Sequence, residues 1–111
     1  MTTVSDTSQI NSIIEENEFT FLYFSGENCA VCKALKPKIE ELFTLEFPQI
    51  HLVEIPTDKA LETTAQFGVF SLPTMLLFVE QKELLRKGRN VSLALLRDEV
   101  KRVYTLFFQK E

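Results

Sequence analysis

Two cysteines separated by two residues are the side chains of this sequence with the clearest potential for chemistry. Cys29 and Cys32 belong to a Cys-Ala-Val-Cys motif that follows an apolar segment, residues 19–24, typical of a buried strand. The residues after the motif have the periodicity of a helix. A helix N-terminus stabilises a thiolate, and cysteines one helical turn apart can form a disulfide without remodelling the fold. The pattern predicts dithiol–disulfide chemistry, with Cys29 as the exposed nucleophile and Cys32 as the deeper resolving thiol.

Other uses of a cysteine pair need ligands that this sequence lacks or places differently. A structural zinc site takes four Cys or His ligands, and the sequence has two cysteines and one histidine, His51. A c-type haem motif has histidine directly after its second cysteine, where this chain has Lys33. An iron–sulfur cluster takes further thiolates, and a cysteine protease would depend on His51, which falls on a predicted strand. With those uses disfavoured, the position of the motif between a strand and a helix favours redox chemistry, without a metal or an organic cofactor, over two unreactive buried cysteines.

The elements that must position the cysteines are predicted by hydrophobic periodicity. They follow the order α-β-α-β-α-β-β-α, over residues 7–17, 19–24, 29–43, 50–55, 58–66, 74–79, 83–86 and 92–107. The alternation predicts an α/β fold, with helices on both sides of a central mixed sheet of about four strands. The first two strands are expected to be parallel and the last two to form an antiparallel hairpin. Pro37 falls inside the second helix and is expected to kink it.

Length and composition exclude several classes of protein. The 111 residues predict a single domain, residues 1–111, and the content of 45% hydrophobic and 25% charged residues excludes a disordered chain. The net charge of −4 disfavours nucleic acid as a partner. The basic excess between residues 82 and 102 is interpreted as a solvated surface, with a site for an anionic partner as the alternative. Neither a secretory signal nor a membrane-spanning run is found, so a cytoplasmic protein without a membrane partner is expected.

Four features together resemble the thioredoxin family over nearly the whole chain. The first is the strand that runs into the cysteine motif, and the second is Pro37, five residues after the second cysteine. The third is the segment 67–74, Phe-Gly-Val-Phe-Ser-Leu-Pro-Thr, which is similar to the family's cis-proline segment. The fourth is the terminal hairpin, followed by Gly88 and the last helix. The resemblance implies a thioredoxin-like three-layer α/β/α sandwich.

The resemblance also implies a client-binding site beside the cysteines. Pro73 is expected to be cis and to pack near them, and the backbone of Leu72 is expected to pair with an extended client segment. Asn28, which stands where the family usually has tryptophan, and Phe70 complete the implied site. An exposed Phe70 would favour apolar clients or a dimer, whereas a Phe70 turned into the core would be structural, and the sequence leaves both readings open.

The sequence departs from the family pattern behind the cysteines. Tyr23 occupies the position of the family's buried acid, and Glu54 roughly replaces the lysine that accompanies that acid. Tyr23 is interpreted as a core aromatic, with a hydrogen bond near Cys32 as the alternative. Lys33 is interpreted as a solvated lysine that can also add positive potential beside the motif. No counterpart of the family's first strand is predicted.

The residues and the resemblance together predict a thiol–disulfide oxidoreductase that reduces protein disulfides in cell redox homeostasis. Its expected partners are client proteins with disulfides and an external reductase or small-thiol reductant, and the chain is expected to be a monomer. The alternative is a non-catalytic thioredoxin-like interaction module that binds a partner in the cis-proline groove. A glutathione-dependent enzyme is a third interpretation, although the motif differs from the usual one of such enzymes.

Overall fold

The computed structural model describes residues 1–108, and the last three residues of the predicted domain lie outside this range. The strands are β1 (Thr2–Thr3), β2 (Phe19–Ser25), β3 (His51–Pro56), β4 (Thr74–Val79) and β5 (Lys82–Lys87). The helices are α1 (Thr7–Glu16), α2 (Ala30–Glu46), α3 (Leu61–Gln66) and α4 (Leu93–Phe108), and a 3-10 helix covers Thr57–Lys59. Every predicted helix and strand is present, and the segment predicted as one short helix over 58–66 is divided at Ala60.

The strands form one mixed sheet in the order β1-β3-β2-β4-β5. As predicted, β2 and β3 are parallel, and β4 and β5 form an antiparallel hairpin. The expected count of about four strands was too low, because Thr2 and Thr3 pair in parallel with Val53 and Glu54 at the edge of the sheet. Two threonines have no alternating hydrophobic pattern of their own, so this strand is defined by its partner and not by its sequence.

All residues of β2 are buried, because helices cover both faces of the sheet. Alternate residues of a strand point to opposite faces. Phe19, Phe21 and Tyr23 pack with residues of α2 and α4 on one face. Leu22 and Phe24 pack with residues of α1 and the loop around α3 on the other. This arrangement confirms the predicted three-layer α/β/α sandwich.

α2 carries the second cysteine over the end of β2. Cys29 is the N-cap of this helix, which continues through Pro37. Proline has no N–H to donate to the carbonyl four residues earlier, and this missing bond is the physical basis of the expected kink. The buried residues of α2 are Cys32, Ile39 and Phe43. Their burial fixes which side of the helix faces the sheet, and with it the position of the first turn.

The other long helices are held in the same way, by one buried stripe. α1 buries Ile10 and Ile14, and α4 buries Leu96 and Val100. The remaining positions of both helices are partly or fully exposed. No helix within residues 1–108 has the length and apolar character required to cross a membrane.

Candidate active site

Cys29 and Cys32 are joined by a disulfide. The two Sγ atoms are 2.18 Å apart and the two Cα atoms 5.2 Å apart. The Cys29 Sγ accepts a hydrogen bond from the Cys32 backbone N–H, with an N–S distance of 3.2 Å. The same N–H and the dipole of α2 stabilise negative charge on the Cys29 sulfur once the disulfide is reduced. The arrangement predicted from strand, motif and helix thus places both sulfurs where they can react with one another.

The two sulfurs differ in their access to solvent. Cys32 is only 2% exposed, whereas Cys29 is half-buried. The turn between β2 and α2 includes a hydrogen bond from the Cys29 N–H to the Gly26 carbonyl, with an N–O distance of 3.3 Å. This turn holds Cys29 at the edge of the sheet, where β2 ends. An incoming group therefore reaches Cys29 before it reaches Cys32.

The loop before β4 approaches Cys29 at Gly26. The Leu72–Pro73 peptide bond is cis, and Pro73 is buried. A Cβ atom at Gly26 would lie 2.7 Å from Cδ1 of Leu72 and 3.8 Å from Cβ of Cys29. The first distance is shorter than carbon atoms approach without a bond, so a side chain at this position would displace Leu72. Glycine lets Leu72 lie against the turn that carries Cys29.

An open cleft of about 400 Å³ lies beside Cys29. We call it the cysteine cleft, and its lining includes Gly26, Asn28, Cys29, Phe70, Leu72 and Arg89. The structure therefore brings Asn28, Phe70 and Leu72 together with Cys29. Phe70 is 91% exposed, which decides between the two readings left open by the sequence. Its ring lies in solvent at the rim of the cleft and not in the core.

The backbone of Leu72 offers hydrogen-bonding groups at the cysteine cleft. Its carbonyl accepts a hydrogen bond from Arg89 Nε, with an N–O distance of 3.2 Å. Its N–H has no acceptor among residues 1–108. A backbone donor of this kind is satisfied by water or by a partner, and it can pair with an extended segment of another chain. Arg89 was missed by the sequence analysis, because no local pattern connects it to a carbonyl 17 residues earlier.

Tyr23 lies behind the cysteines on β2. It is fully buried, and its hydroxyl donates a hydrogen bond to the Cys32 carbonyl, with an O–O distance of 2.6 Å. Tyr23 is thus a core aromatic that also bonds to Cys32. Burial, and to a smaller extent the negative charge of Glu54, raises the pKa of Tyr23 to about 12. At neutral pH the hydroxyl is protonated, so it anchors the first turn of α2 and does not accept a proton.

Glu54 on β3 connects the sheet to α2. Its carboxylate oxygens accept hydrogen bonds from Lys36 Nζ at 2.7 Å and from Ser25 Oγ at 2.8 Å. Burial acts to raise the pKa of Glu54, but the bonds from Lys36 and Ser25 outweigh it and hold this pKa below its usual value. Glu54 and Cys32 line a second open cleft of about 430 Å³. The sequence signal for Lys36 is its spacing, since it follows Cys32 by one helical turn.

Two further residues predicted for the site lie outside the cysteine cleft. Lys33 is exposed and lines the second cleft together with Cys32. Its backbone N–H donates to the Cys29 carbonyl, with an N–O distance of 3.2 Å, which begins the hydrogen-bonding ladder of α2. Pro37 is also exposed and lines neither cleft. These positions connect Lys33 and Pro37 to the helix that carries Cys32, and not to the opening beside Cys29.

Replacement of Tyr23 by phenylalanine tests the anchoring hydrogen bond. Tyr23→Phe keeps the ring in the core and removes the buried donor to the Cys32 carbonyl, so the free energy of unfolding is expected to fall by about 1 kcal/mol. Tyr104→Phe is the matched control, because the Tyr104 hydroxyl accepts an exposed bond of 3.3 Å from the Gln49 N–H. Urea unfolding of the oxidised proteins measures both changes. An equal loss in the two variants would contradict the anchoring role.

The pair of Glu54 and Lys36 predicts that stability depends on pH. Folding lowers the pKa of the Glu54 carboxyl below its ordinary 4.5. Its contribution to the free energy of unfolding is therefore fully present above pH 4.5 and is lost as pH falls through the pKa of the folded protein. The hydrogen bond to Glu54 raises the pKa of Lys36 above its ordinary value of 10.5. The contribution of Lys36 to stability is therefore fully present below pH 10.5 and is lost as pH rises through the pKa of the folded protein. Glu54→Gln is expected to lower the free energy of unfolding by about 0.5–1 kcal/mol between these limits, and by less in acid. Urea unfolding from neutral to acidic pH measures the difference, and a pH-independent difference would argue against the ion pair.

A protein that exchanges thiols for disulfides needs one sulfur that meets the substrate and a second that can displace it. Cys29 and Cys32 satisfy both requirements at the edge of a three-layer α/β/α fold, which makes this chain a thiol–disulfide oxidoreductase by class. Comparison with known families specifies the class further. The family model described as Thioredoxin matches residues 1–102. The chain therefore belongs to the thioredoxin family, as the sequence predicts.

Individual relatives support the same assignment. Thioredoxin-like protein YdfQ of Bacillus subtilis (strain 168) is 36% identical over 107 residues, which cover 96% of this chain and 95% of that protein. A thioredoxin of Mycobacterium tuberculosis is 29% identical over 96 residues, which cover 86% of this chain and 83% of that one. The X-ray structure of Fasciola hepatica thioredoxin superposes with a TM-score of 0.82 at 25% identity, over 92% of this chain and 98% of that one. These similarities confirm the fold class.

Proposed function

We propose that this protein reduces disulfide bonds of other proteins through a dithiol–disulfide cycle of Cys29 and Cys32. The observation that carries the proposal is the difference in access between two sulfurs that share one disulfide. An accessible sulfur can attack a client disulfide, whereas a buried sulfur one turn deeper reacts with its neighbour in the same chain. This difference supports a cycle in which Cys29 reacts first and Cys32 second.

In the first step, the reduced Cys29 thiolate attacks one sulfur of a client disulfide. A bond forms between Cys29 and that sulfur, the client's own S–S bond breaks, and the departing client sulfur takes up a proton. The Cys32 N–H and the N-terminus of α2 support the thiolate before the attack. The product is a mixed disulfide between this protein and its client.

In the second step, the Cys32 thiol loses its proton and attacks the Cys29 sulfur. The Cys29–Cys32 bond forms as the mixed disulfide between Cys29 and the client breaks. The client's sulfur leaves as a thiolate and takes up a proton from water, which balances the proton that Cys32 released, so two electrons have passed from the cysteine pair to the client. Tyr23 holds the Cys32 carbonyl in this step and does not take the proton, because its pKa is about 12. An external reductase or a small thiol then restores the dithiol, and no metal or organic cofactor takes part.

The cysteine cleft is the proposed binding site for an extended client segment. The Leu72 N–H supplies a backbone donor, and the buried Pro73 follows it in the loop. Asn28 is exposed and lines the cleft without the bulk of the tryptophan usual in the family, which leaves the approach to Cys29 open. The exposed ring of Phe70 favours an apolar side chain in the client.

The proposed cycle starts from the dithiol, so it belongs in a compartment that keeps thiols reduced. The cytoplasm is such a compartment, and there the cycle would contribute to cell redox homeostasis. A monomer is sufficient, because one chain carries both sulfurs and the cysteine cleft. Neither nucleic acid nor a membrane enters the cycle.

Equilibration of the purified protein in graded thiol–disulfide buffers tests the proposal. Free thiols are counted by alkylation, and a reversible two-electron transition near the thioredoxin range, about −270 mV, is expected for a reductant. A transition at about −120 to −180 mV would contradict the direction of electron flow and indicate disulfide formation or isomerisation. If Cys29 and Cys32 form no reversible bond, the enzyme proposal fails and the interaction module replaces it. A Cys29→Ser variant is the control, because one remaining thiol cannot form the intramolecular bond.

A further inference from the structure

Arg89 lies in the cysteine cleft, although the stretch of basic residues that contains it looks like an ordinary solvated surface in the sequence. Arg89 is exposed, and its Nε donates to the Leu72 carbonyl on the loop that lines the cleft with Cys29. This bond holds the guanidinium at the loop proposed to receive the client. Because Nε is engaged, the two terminal amino groups of the guanidinium remain to bind a carboxylate.

Unlike Arg86 and Lys87, Arg89 has no acidic partner within residues 1–108. Arg86 forms an ion pair with Glu83, and Lys87 forms one with Glu99. Among residues 1–108, no carboxylate lies within ion-pair distance of Arg89. Its positive charge is therefore not neutralised within the described part of the chain, and it is available to a bound molecule.

The carboxylate of Asp58 also lines the cysteine cleft, beside the turn that precedes Cys29. The Asp58 carboxylate accepts a hydrogen bond from the Glu27 N–H and lies near Gly26. Arg89 is instead bonded to Leu72. An acidic side chain of a client is repelled at the Asp58 side and attracted at the Arg89 side. The cleft thus has a negative side at Asp58 and a positive side at Arg89, and a bound segment is favoured when its charges are complementary to both.

We propose that this protein selects clients that carry an acidic residue next to the reacting cysteine, and that Arg89 binds this carboxylate. The inference rests on the proposed function, since it concerns the segment that the cysteine cleft receives before Cys29 reacts. Arginine suits the task, because its planar, always charged group matches a carboxylate. The cleft is open to solvent, so the preference is expected to be that of an exposed charge pair and to weaken in high salt.

Matched peptide disulfides test this selectivity. Each peptide carries one disulfide and differs at a single position adjacent to the reacting cysteine, which is glutamate, glutamine or lysine, and both flanks are tried. The pre-reduced protein is mixed with each peptide, and the second-order rate of a single turnover is measured, so that no recycling reductase is needed. On one flank, the glutamate peptide is expected to react about three- to fivefold faster than the glutamine peptide, and the lysine peptide more slowly than both.

Variants of Arg89 identify the charge responsible. Arg89→Gln is expected to reduce the glutamate preference to near unity, and Arg89→Glu is expected to reverse the order of the glutamate and lysine peptides. Arg102→Gln is the matched control, because Arg102 is an exposed arginine of α4 that does not line the cysteine cleft, and it is expected to keep the full preference. High salt is expected to shrink the preference of the unaltered protein.

The outcomes separate this inference from the proposed function. If all three peptides are reduced at equal rates on both flanks, selection by Arg89 is overturned while disulfide reduction stands. If the preference persists in Arg89→Gln, another charge is responsible and the inference is also overturned. If no peptide is reduced by the pre-reduced protein, the proposed function itself fails, and the inference fails with it.

Discussion

Replacement of Cys29 by serine is expected to abolish disulfide reduction while leaving the stability of the reduced protein nearly unchanged. Serine lacks a sulfur that can form the mixed disulfide, so the rate falls by several orders of magnitude. Cys29 is also the N-cap of α2, where its Sγ accepts the Cys32 N–H. Serine is among the preferred N-cap residues, so Cys29→Ser is expected to keep this bond. Reduction of a disulfide-bonded test protein and urea unfolding under reducing conditions measure the two effects.

Cys29→Ala separates the chemical role from the capping role. Alanine removes both the nucleophile and the cap, so this variant is expected to be equally inactive and also less stable than Cys29→Ser by about 1 kcal/mol. Both variants are compared with the unaltered protein under reducing conditions, so that the disulfide does not constrain the unfolded chain and add to the free energy of unfolding. Activity that survives in Cys29→Ser would mean that another group attacks the client, and would remove the basis of the proposed cycle.

Replacement of Cys32 by serine is expected to stop the cycle after the first step and to accumulate mixed disulfides. Cys29 remains accessible and able to attack, but the sulfur that would displace the client is gone. Catalytic turnover is expected to fall by several orders of magnitude. Incubation of reduced Cys32→Ser with a disulfide-bonded client, followed by electrophoresis without reductant, is expected to show a covalent complex that dithiothreitol releases.

The double variant Cys29→Ser with Cys32→Ser is the control for this trapping experiment. It has no thiol and is expected to form no complex, since the sequence contains no other cysteine. A complex in the double variant would identify a non-covalent association or an artefact of the client. Failure of Cys32→Ser to form any complex, with Cys29 intact and the protein folded, would favour the interaction module over the oxidoreductase.

The helices, the long strands and the reacting cysteines could be predicted from the sequence, because each leaves a local pattern of residue types and spacing. The apolar run of β2 has to be buried on both faces, and the stripe of Ile10 and Ile14 has to face a core. The spacing of Cys29 and Cys32 places both sulfurs on the first turn of a helix, and this is sufficient for the disulfide to form. Local periodicity therefore indicated the α/β class, and the cysteine motif between strand and helix indicated the chemistry.

The contacts between distant segments of the chain were visible only in the tertiary structure. The strand Thr2–Thr3 exists because Val53 and Glu54 offer it a partner, and no pattern within two threonines reports that partner. The exposure of Phe70 and the bond from Arg89 to Leu72 likewise depend on how the loops meet beside the sheet. The exposure of a loop side chain and a long-range hydrogen bond depend on the packing of distant segments, so residue type and spacing alone leave them undetermined.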